Sequence, residues 1–151
     1  IHPFDAGAAS GWSVGGAYQQ TSELLIKMVA SGLCHSDDHL STGDMPFGIY
    51  PLCGGHEGAG IVEAVGDQVT RVKPGDHVVI ATVSNCGICD QCAVGKPTWC
   101  RKTLGNRREI FTVGGEPAGN FAATSSFAEM TVVKEVQAVP IDKEVPLTPR
   151  A

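Results

Sequence analysis

The stretch Gly60-Ile-Val-Glu-Ala-Val65-Gly-Asp-Gln-Val-Thr-Arg-Val-Lys-Pro-Gly75-Asp-His77-Val-Val-Ile-Ala81 is two apolar, face-alternating runs separated by turn residues. Gly66-Asp67 makes one turn. The segment Val72-Lys73-Pro74-Gly75-Asp76 makes a second, because Gly tolerates positive φ and Pro pre-sets the first turn position. Two extended runs joined in this way predict an antiparallel β-hairpin. On the N-terminal side, Leu24-Leu-Ile-Lys-Met-Val29 reads as a further strand, with Gly32 ending it before Cys34. On the C-terminal side, Phe127–Val133 and Ala138–Ile141 also read as extended. Helix is confined to short pieces, Ser36–Thr42 and the turn around Cys89–Gly95, while Ile1–Gly16 is irregular or a poorly formed edge strand. The pattern predicts a mainly β, mostly antiparallel domain with short helices and an inserted metal-binding loop.

Composition agrees. A chain of 151 residues with 18 % charged and 42 % hydrophobic residues fits one domain able to bury a core. Nineteen Gly and nine Pro leave little room for long helices. A formal charge of −5, with no basic run longer than Arg107-Arg108, argues against a nucleic-acid surface. No apolar stretch approaches the roughly 18 residues that span a bilayer, and no basic-then-apolar leader opens the chain, so a cytoplasmic location away from membranes is expected. The first residue is Ile1 rather than Met, and Val145–Ala151 carries no stop signature, so the reading treats the chain as open to having been cut at either end.

Chemistry concentrates in two places. Cys86-Gly-Ile-Cys89-Asp-Gln-Cys92 and, after seven intervening residues, Cys100 place four thiols within fifteen positions. Two-residue gaps let successive sulfurs turn back onto one ion, and the longer arm closes a tetrahedron. Four thiolates leave no open position, so residues 86–100 are expected to form a structural zinc loop. Bacterial ferredoxins also use two-residue gaps but finish with a three-residue gap and Pro, whereas here Arg101 follows. Disulfides need an oxidising compartment for which nothing else argues. The second group spans Gly32-Leu-Cys34-His35-Ser36-Asp37-Asp-His39 and Gly54-Gly-His56-Glu57-Gly-Ala-Gly60. Flanking glycines permit close approach of backbone and ion, and carboxylates stand beside both candidate ligands, Cys34 and His56. Asp37 is suited to accept a hydrogen bond from the far nitrogen of His56 and fix its tautomer. Cys53 reads as a small buried residue.

The order Gly-x-Cys-His-Ser-Asp-x-His, Gly-His-Glu-Gly-x-Gly, Val-x-x-Val-Lys-Pro-Gly-Asp-His-Val and then the four-cysteine loop resembles the medium-chain zinc-dependent alcohol dehydrogenases, from about Leu24 to Ile141. The match is to their N-terminal catalytic domain, a partly open β-barrel similar to the GroES fold. The resemblance implies that residues 1–151 are the N-terminal part of a longer, homo-oligomeric enzyme, with a Rossmann domain outside them. It implies oxidation of a small-molecule alcohol, or reduction of an aldehyde or ketone, with hydride passed to or from NAD or NADP. It assigns Cys34 and His56 as ligands of a catalytic zinc beside the structural one, and Glu57 as the acid behind the metal. Ser36 becomes the hydroxyl that takes the substrate's proton, His39 the imidazole that hands it to water, and His35 a contact to the cofactor's pyrophosphate. A further Cys ligand and the dinucleotide fingerprint are implied beyond Ala151, since the glycines of 54–60 precede a strand rather than joining a strand to a helix. The segment Thr103–Gly119 is shorter than in several members, which leaves substrate size open. Two other classes remain: a stand-alone zinc or iron-sulfur module, and a GroES-like oligomerising module without chemistry.

Overall fold

The computed structural model describes residues 12–14, 22–46, 50–82, 85–102 and 110–148, so most of the irregular opening and residues 103–109 of the short segment lie outside the described residues. In chain order the elements are β1 (Trp12–Val14), β2 (Glu23–Gly32), α1 (His35–Thr42), β3 (Leu52–Cys53), β4 (Glu57–Val65), β5 (His77–Ile80) and α2 (Asp90–Ala93). They continue with β6 (Phe111–Val113), β7 (Glu116–Asn120), β8 (Met130–Lys134) and β9 (Ala138–Ile141). The strands form two open sheets, ordered β8-β2-β4-β5-β9 and β1-β6-β7-β3, and the parallel pairing of β3 with β7 is the exception to antiparallel order. The fold class is mainly β with short helices.

The hairpin expected from Gly60–Ala81 is present as β4 and β5, with Ile61 opposite His77 and Ala59 opposite Val79. Its turn is tied down locally: Gly75 stands at φ +85°, its N–H donates to Val62 O at 2.8 Å, and Lys73 N–H donates to the Asp76 carboxylate at 3.0 Å. Strand β4 begins earlier than its apolar pattern suggests, because Glu57–Ala59 pair with Ala30–Gly32 of β2. Glycine is required here, since a Cβ at Gly60 would collide with the Lys27 carbonyl oxygen. Alternate residues of these strands, Leu24, Ile26, Val62, Val78 and Ile80, are buried together as the main core with Val133 and Ala138. A second cluster joins Cys53, Phe111, Ala118 and Val132.

The hairpin β6–β7 is absent from the strand pattern expected above. Gly114 and Gly115, at φ +60° and +89°, form its two-residue turn, and that dipeptide is its sequence signal. Strand β7 itself reads Glu-Pro-Ala-Gly-Asn, without the β-branched residues that mark strands. The extended reading of Phe127–Val133 narrows to β8, because Phe127 N–H is drawn to Gly54 O at 3.1 Å before the strand begins. Helix α1 is anchored by Leu40, packed with Leu52 and Phe121. Among the described residues no helix is long and apolar enough to cross a membrane.

Candidate metal centres

Cys86, Cys89, Cys92 and Cys100 bring their sulfurs within 4.8 Å of one another. Cys89 Sγ lies 3.5 Å from Cys92 Sγ and 3.9 Å from Cys100 Sγ, and all six cysteines are free thiols. Zinc–sulfur bonds of about 2.3 Å at a tetrahedral angle put sulfurs roughly 3.8 Å apart, so the four donors fit one ion. An iron cluster holds its cysteines on separate irons and spreads them further. Backbone N–H groups already face the sulfurs, from Cys86 and Lys102 to Cys100 and from Cys89 to Cys86, each at 3.3 Å. The N–H groups of Cys92 and Arg101 hold the Cys89 thiol down to about 6. Arg101 grips Asp90, the first residue of α2, with Nε and Nη2 each 2.9 Å from a carboxylate oxygen, and that grip holds the Asp90 carboxyl at about 2.

The second cluster is assembled from distant segments. Cys34 is the N-cap of α1, and its Sγ accepts from Ser36 N–H at 3.3 Å. Strand β4 starts at Glu57, directly after His56, and the register that sets Gly32 opposite Glu57 carries both segments to one place. Cys34 Sγ and His56 Nε2 are 3.3 Å apart, close to the roughly 3.6 Å that zinc–sulfur and zinc–nitrogen bonds give at a tetrahedral angle. Their ligand atoms and a Glu57 carboxylate oxygen all lie within 4.8 Å of one another. Thiolate, imidazole and carboxylate are a zinc donor set, so the residues fit the ion.

Behind this set stands Asp37, 3 % exposed. One of its oxygens accepts from Cys34 N–H and the other from Gly55 N–H, both at 3.1 Å. The latter oxygen is also 3.5 Å from His56 Nδ1, which is buried and has no hydrogen-bond partner, so this contact is electrostatic rather than a full hydrogen bond. Thr82 donates to His56 O at 3.0 Å and Phe121 stands edge-on to the imidazole, ring centroids 5.3 Å apart. Neither residue is signalled by the motifs; only the fold places them. An open groove of about 500 Å³ runs past Ser31, Gly32, His56, Glu57, Val79 and Thr82.

Ser36 is half-buried in the first turn of α1, and His39, one helical turn on, is exposed. No hydrogen bond joins them among the described residues. Asp44 takes His39 Nδ1 at 3.3 Å, and Thr42 first, then His39, hold the Asp44 carboxyl below its usual range. The His35 and His39 rings stack with centroids 4.4 Å apart, and His35 Nε2 is 3.8 Å from Asp38. Cys53 is 1 % exposed and burial pushes its thiol up to about 12, so it is an inert core residue.

Two open β sheets thus carry a four-cysteine loop and a Cys-His-Glu cluster, each able to hold a metal ion. Residues 20–143 match the family described as "Alcohol dehydrogenase GroES-like domain", and the chain belongs to that family. It is 42 % identical over 130 residues to the S-(hydroxymethyl)glutathione dehydrogenase of Photobacterium damsela subsp. piscicida, covering 81 % of this chain and 35 % of that protein. It is 37 % identical over 137 residues to the alcohol dehydrogenase class-3 of Oryza sativa subsp. japonica, covering 85 % and 36 %. Among solved structures, the alcohol dehydrogenase zinc-binding domain protein from Burkholderia ambifaria superposes with a TM-score of 0.79 at 36 % identity, over 90 % of this chain and 38 % of that one. Benzyl alcohol dehydrogenase from Acinetobacter calcoaceticus gives 0.76 at 33 %, with the same coverage. The chain therefore spans little more than a third of the length of these relatives.

Proposed function

We propose that residues 1–151 are the N-terminal catalytic part of a longer zinc-dependent dehydrogenase that interconverts a small alcohol and its aldehyde or ketone with NAD or NADP. The observation that carries this reading is the convergence of Cys34, His56 and Glu57 on one point, backed by buried Asp37. Zinc bound there supplies Lewis-acid polarisation of an alcohol or carbonyl oxygen. Cys34 and His56 provide the soft and imidazole donors, and Glu57 stands within reach as an alternative anionic donor. Asp37 holds the Cys34 and Gly55 backbones in place and, by its charge beside Nδ1, favours the tautomer that leaves His56 Nε2 free to donate its lone pair. The Ser36 hydroxyl accepts the substrate's proton and passes it on. His39 takes it to water: with Nδ1–H engaged by Asp44, its Nε2 is the basic nitrogen, and it is exposed. His35, exposed on the same helix, would contact the pyrophosphate of a bound cofactor. The four-cysteine loop of residues 86–100 holds a structural zinc.

The test is alcohol-dependent NAD or NADP reduction by the whole protein that carries this chain. Cys34→Ala is expected to abolish turnover together with one of two zincs. Ser36→Ala is expected to cut kcat by at least about a hundredfold with both zincs retained, while Ser36→Thr keeps it, as a relay hydroxyl requires. Full activity in Cys34→Ala would sink the reading; an undiminished Ser36→Ala would send the proton by another path.

A further inference from the structure

Residues 120–127, Asn-Phe-Ala-Ala-Thr-Ser-Ser-Phe, belong to none of the motifs above, yet they form the wall on which the His56 segment rests. Three non-glycine residues in this short stretch take positive φ: Ala122 at +51°, Ala123 at +58° and Ser125 at +42°. Such backbone is strained and persists only where surrounding contacts over-determine it. The contacts are there. Ser126 N–H and Phe127 N–H donate to Gly55 O and Gly54 O, each at 3.1 Å, and the Thr124 hydroxyl donates to Gly55 O at 3.3 Å. A Cβ on Gly55 would meet Phe127 and Ser126 at 2.6 Å, so the two segments are in full contact.

Ser125 differs from its neighbours in bonding both the backbone that precedes His56 and the backbone of Phe121. It is fully buried. Its Oγ lies 2.9 Å from Cys53 O, on the backbone leading to His56, and its single proton serves that oxygen or the Asn120 amide oxygen at 2.7 Å. The same oxygen accepts the N–H of Phe121 at 2.8 Å, and the Phe121 ring stands edge-on to His56. Ser125 Oγ thus links the Phe121 backbone, whose ring leans on the imidazole, to the end of β3, three residues before His56. Resting on the reading of Cys34 and His56 as donors to one ion, we infer that Ser125 is a positioning residue for His56 that sets the affinity of the Cys34–His56 site.

The experiment uses cobalt(II) as a spectroscopic probe. Zinc is first bound at the four-cysteine loop, then cobalt(II) is titrated into the second site and its thiolate charge-transfer and ligand-field bands are followed. In the native chain these bands are expected to disappear with Cys34→Ser; if they persist, cobalt is held elsewhere, and the site reading falls together with the inference. Ser125→Ala removes the hydroxyl and keeps the backbone cost, while Ser125→Gly removes both. Both variants are expected to weaken cobalt binding about tenfold and shift the ligand-field bands, with zinc at the four-cysteine loop unchanged as the internal measure of folding. Native affinity and spectrum in both variants would overturn the inference. A native-like Gly variant beside a weakened Ala variant would do so as well, because it would trace the effect to backbone strain. Loss of the loop zinc in both would mark a general folding role and overturn it too.

Discussion

Asp37 is an ionisable side chain almost wholly inside the protein, and both its oxygens are occupied by backbone N–H groups, of Cys34 three residues before it and of Gly55 eighteen residues after it. A buried carboxylate is stable only when paired or hydrogen-bonded in this way. Asp37→Asn turns one acceptor into an N–H2 group facing a donor. The expected cost is about 1–3 kcal/mol of stability, read by urea denaturation of the zinc-loaded chain, with cobalt affinity at the Cys34–His56 site lowered at least about tenfold. Unchanged stability and affinity would show that neither backbone N–H depends on the charge. The nearness of Asp37 to Cys34 follows from the local chain, since the N-cap and N3 positions lie three residues apart within one helical turn. The second partner of Asp37, Gly55 N–H, is not legible, because no local rule links a residue in helix α1 to the loop between β3 and β4.

At the scale of elements, the zinc loop and the β4–β5 turn show two kinds of local order. The loop has few buried residues, Cys100 apart, and its exposed Ile88, Val94 and Trp99 give it no core of its own. On the four-donor reading, metal supplies the order. Cys89→Ser is therefore expected to release the loop zinc and expose residues 86–100 to proteolysis, while β2, β4 and β5 stay protected in hydrogen exchange. Retained zinc with an intact loop would contradict the four-donor reading. The turn, by contrast, is held by Asp76, whose carboxyl is kept below its usual range first by the Lys73 N–H, with Lys143 and Lys73 side chains nearby. A depressed folded value means that the stabilisation is present above the unfolded pKa of about 4 and fades as pH falls through the lower folded value. Asp76→Ala should accordingly lower Tm at pH 7, and its deficit relative to the native chain should shrink by pH 3. Acid release of zinc is common to both chains and cancels in that difference. A deficit that grows with acidity would reverse the assignment.

For the whole molecule, the 151-residue chain is expected to hold about one zinc tightly, to bind a second weakly, and to show neither NAD binding nor turnover. Cys34 and His56 are two donors, and a catalytic zinc site normally has three protein ligands, with Glu57 the nearby substitute whose charge, with the Cys34 thiolate, balances a +2 ion. The glycines of 54–60 run into strand β4 rather than a helix N-terminus, so they offer no pyrophosphate cradle. Metal analysis and calorimetry decide the matter: heat on NAD addition with micromolar affinity, or dehydrogenase activity of this chain by itself, would refute it. What the amino-acid order alone determined is the part whose interactions are short in sequence. The β4–β5 hairpin follows from alternation and turn chemistry, the short helix α1 from its local run Ser36–Thr42, and the four sulfurs from spacing within fifteen positions. Tertiary structure decided the rest. The meeting of Cys34 with His56 depends on a β2–β4 register shifted twice by bulges, and close strand approach at Gly60 makes that register possible. The wall of residues 120–127 is held in place by hydrogen bonds to a segment about seventy positions earlier. Periodicity and spacing describe neighbours along the chain, whereas these contacts arise only when distant backbones are packed against each other and their buried polar groups find partners.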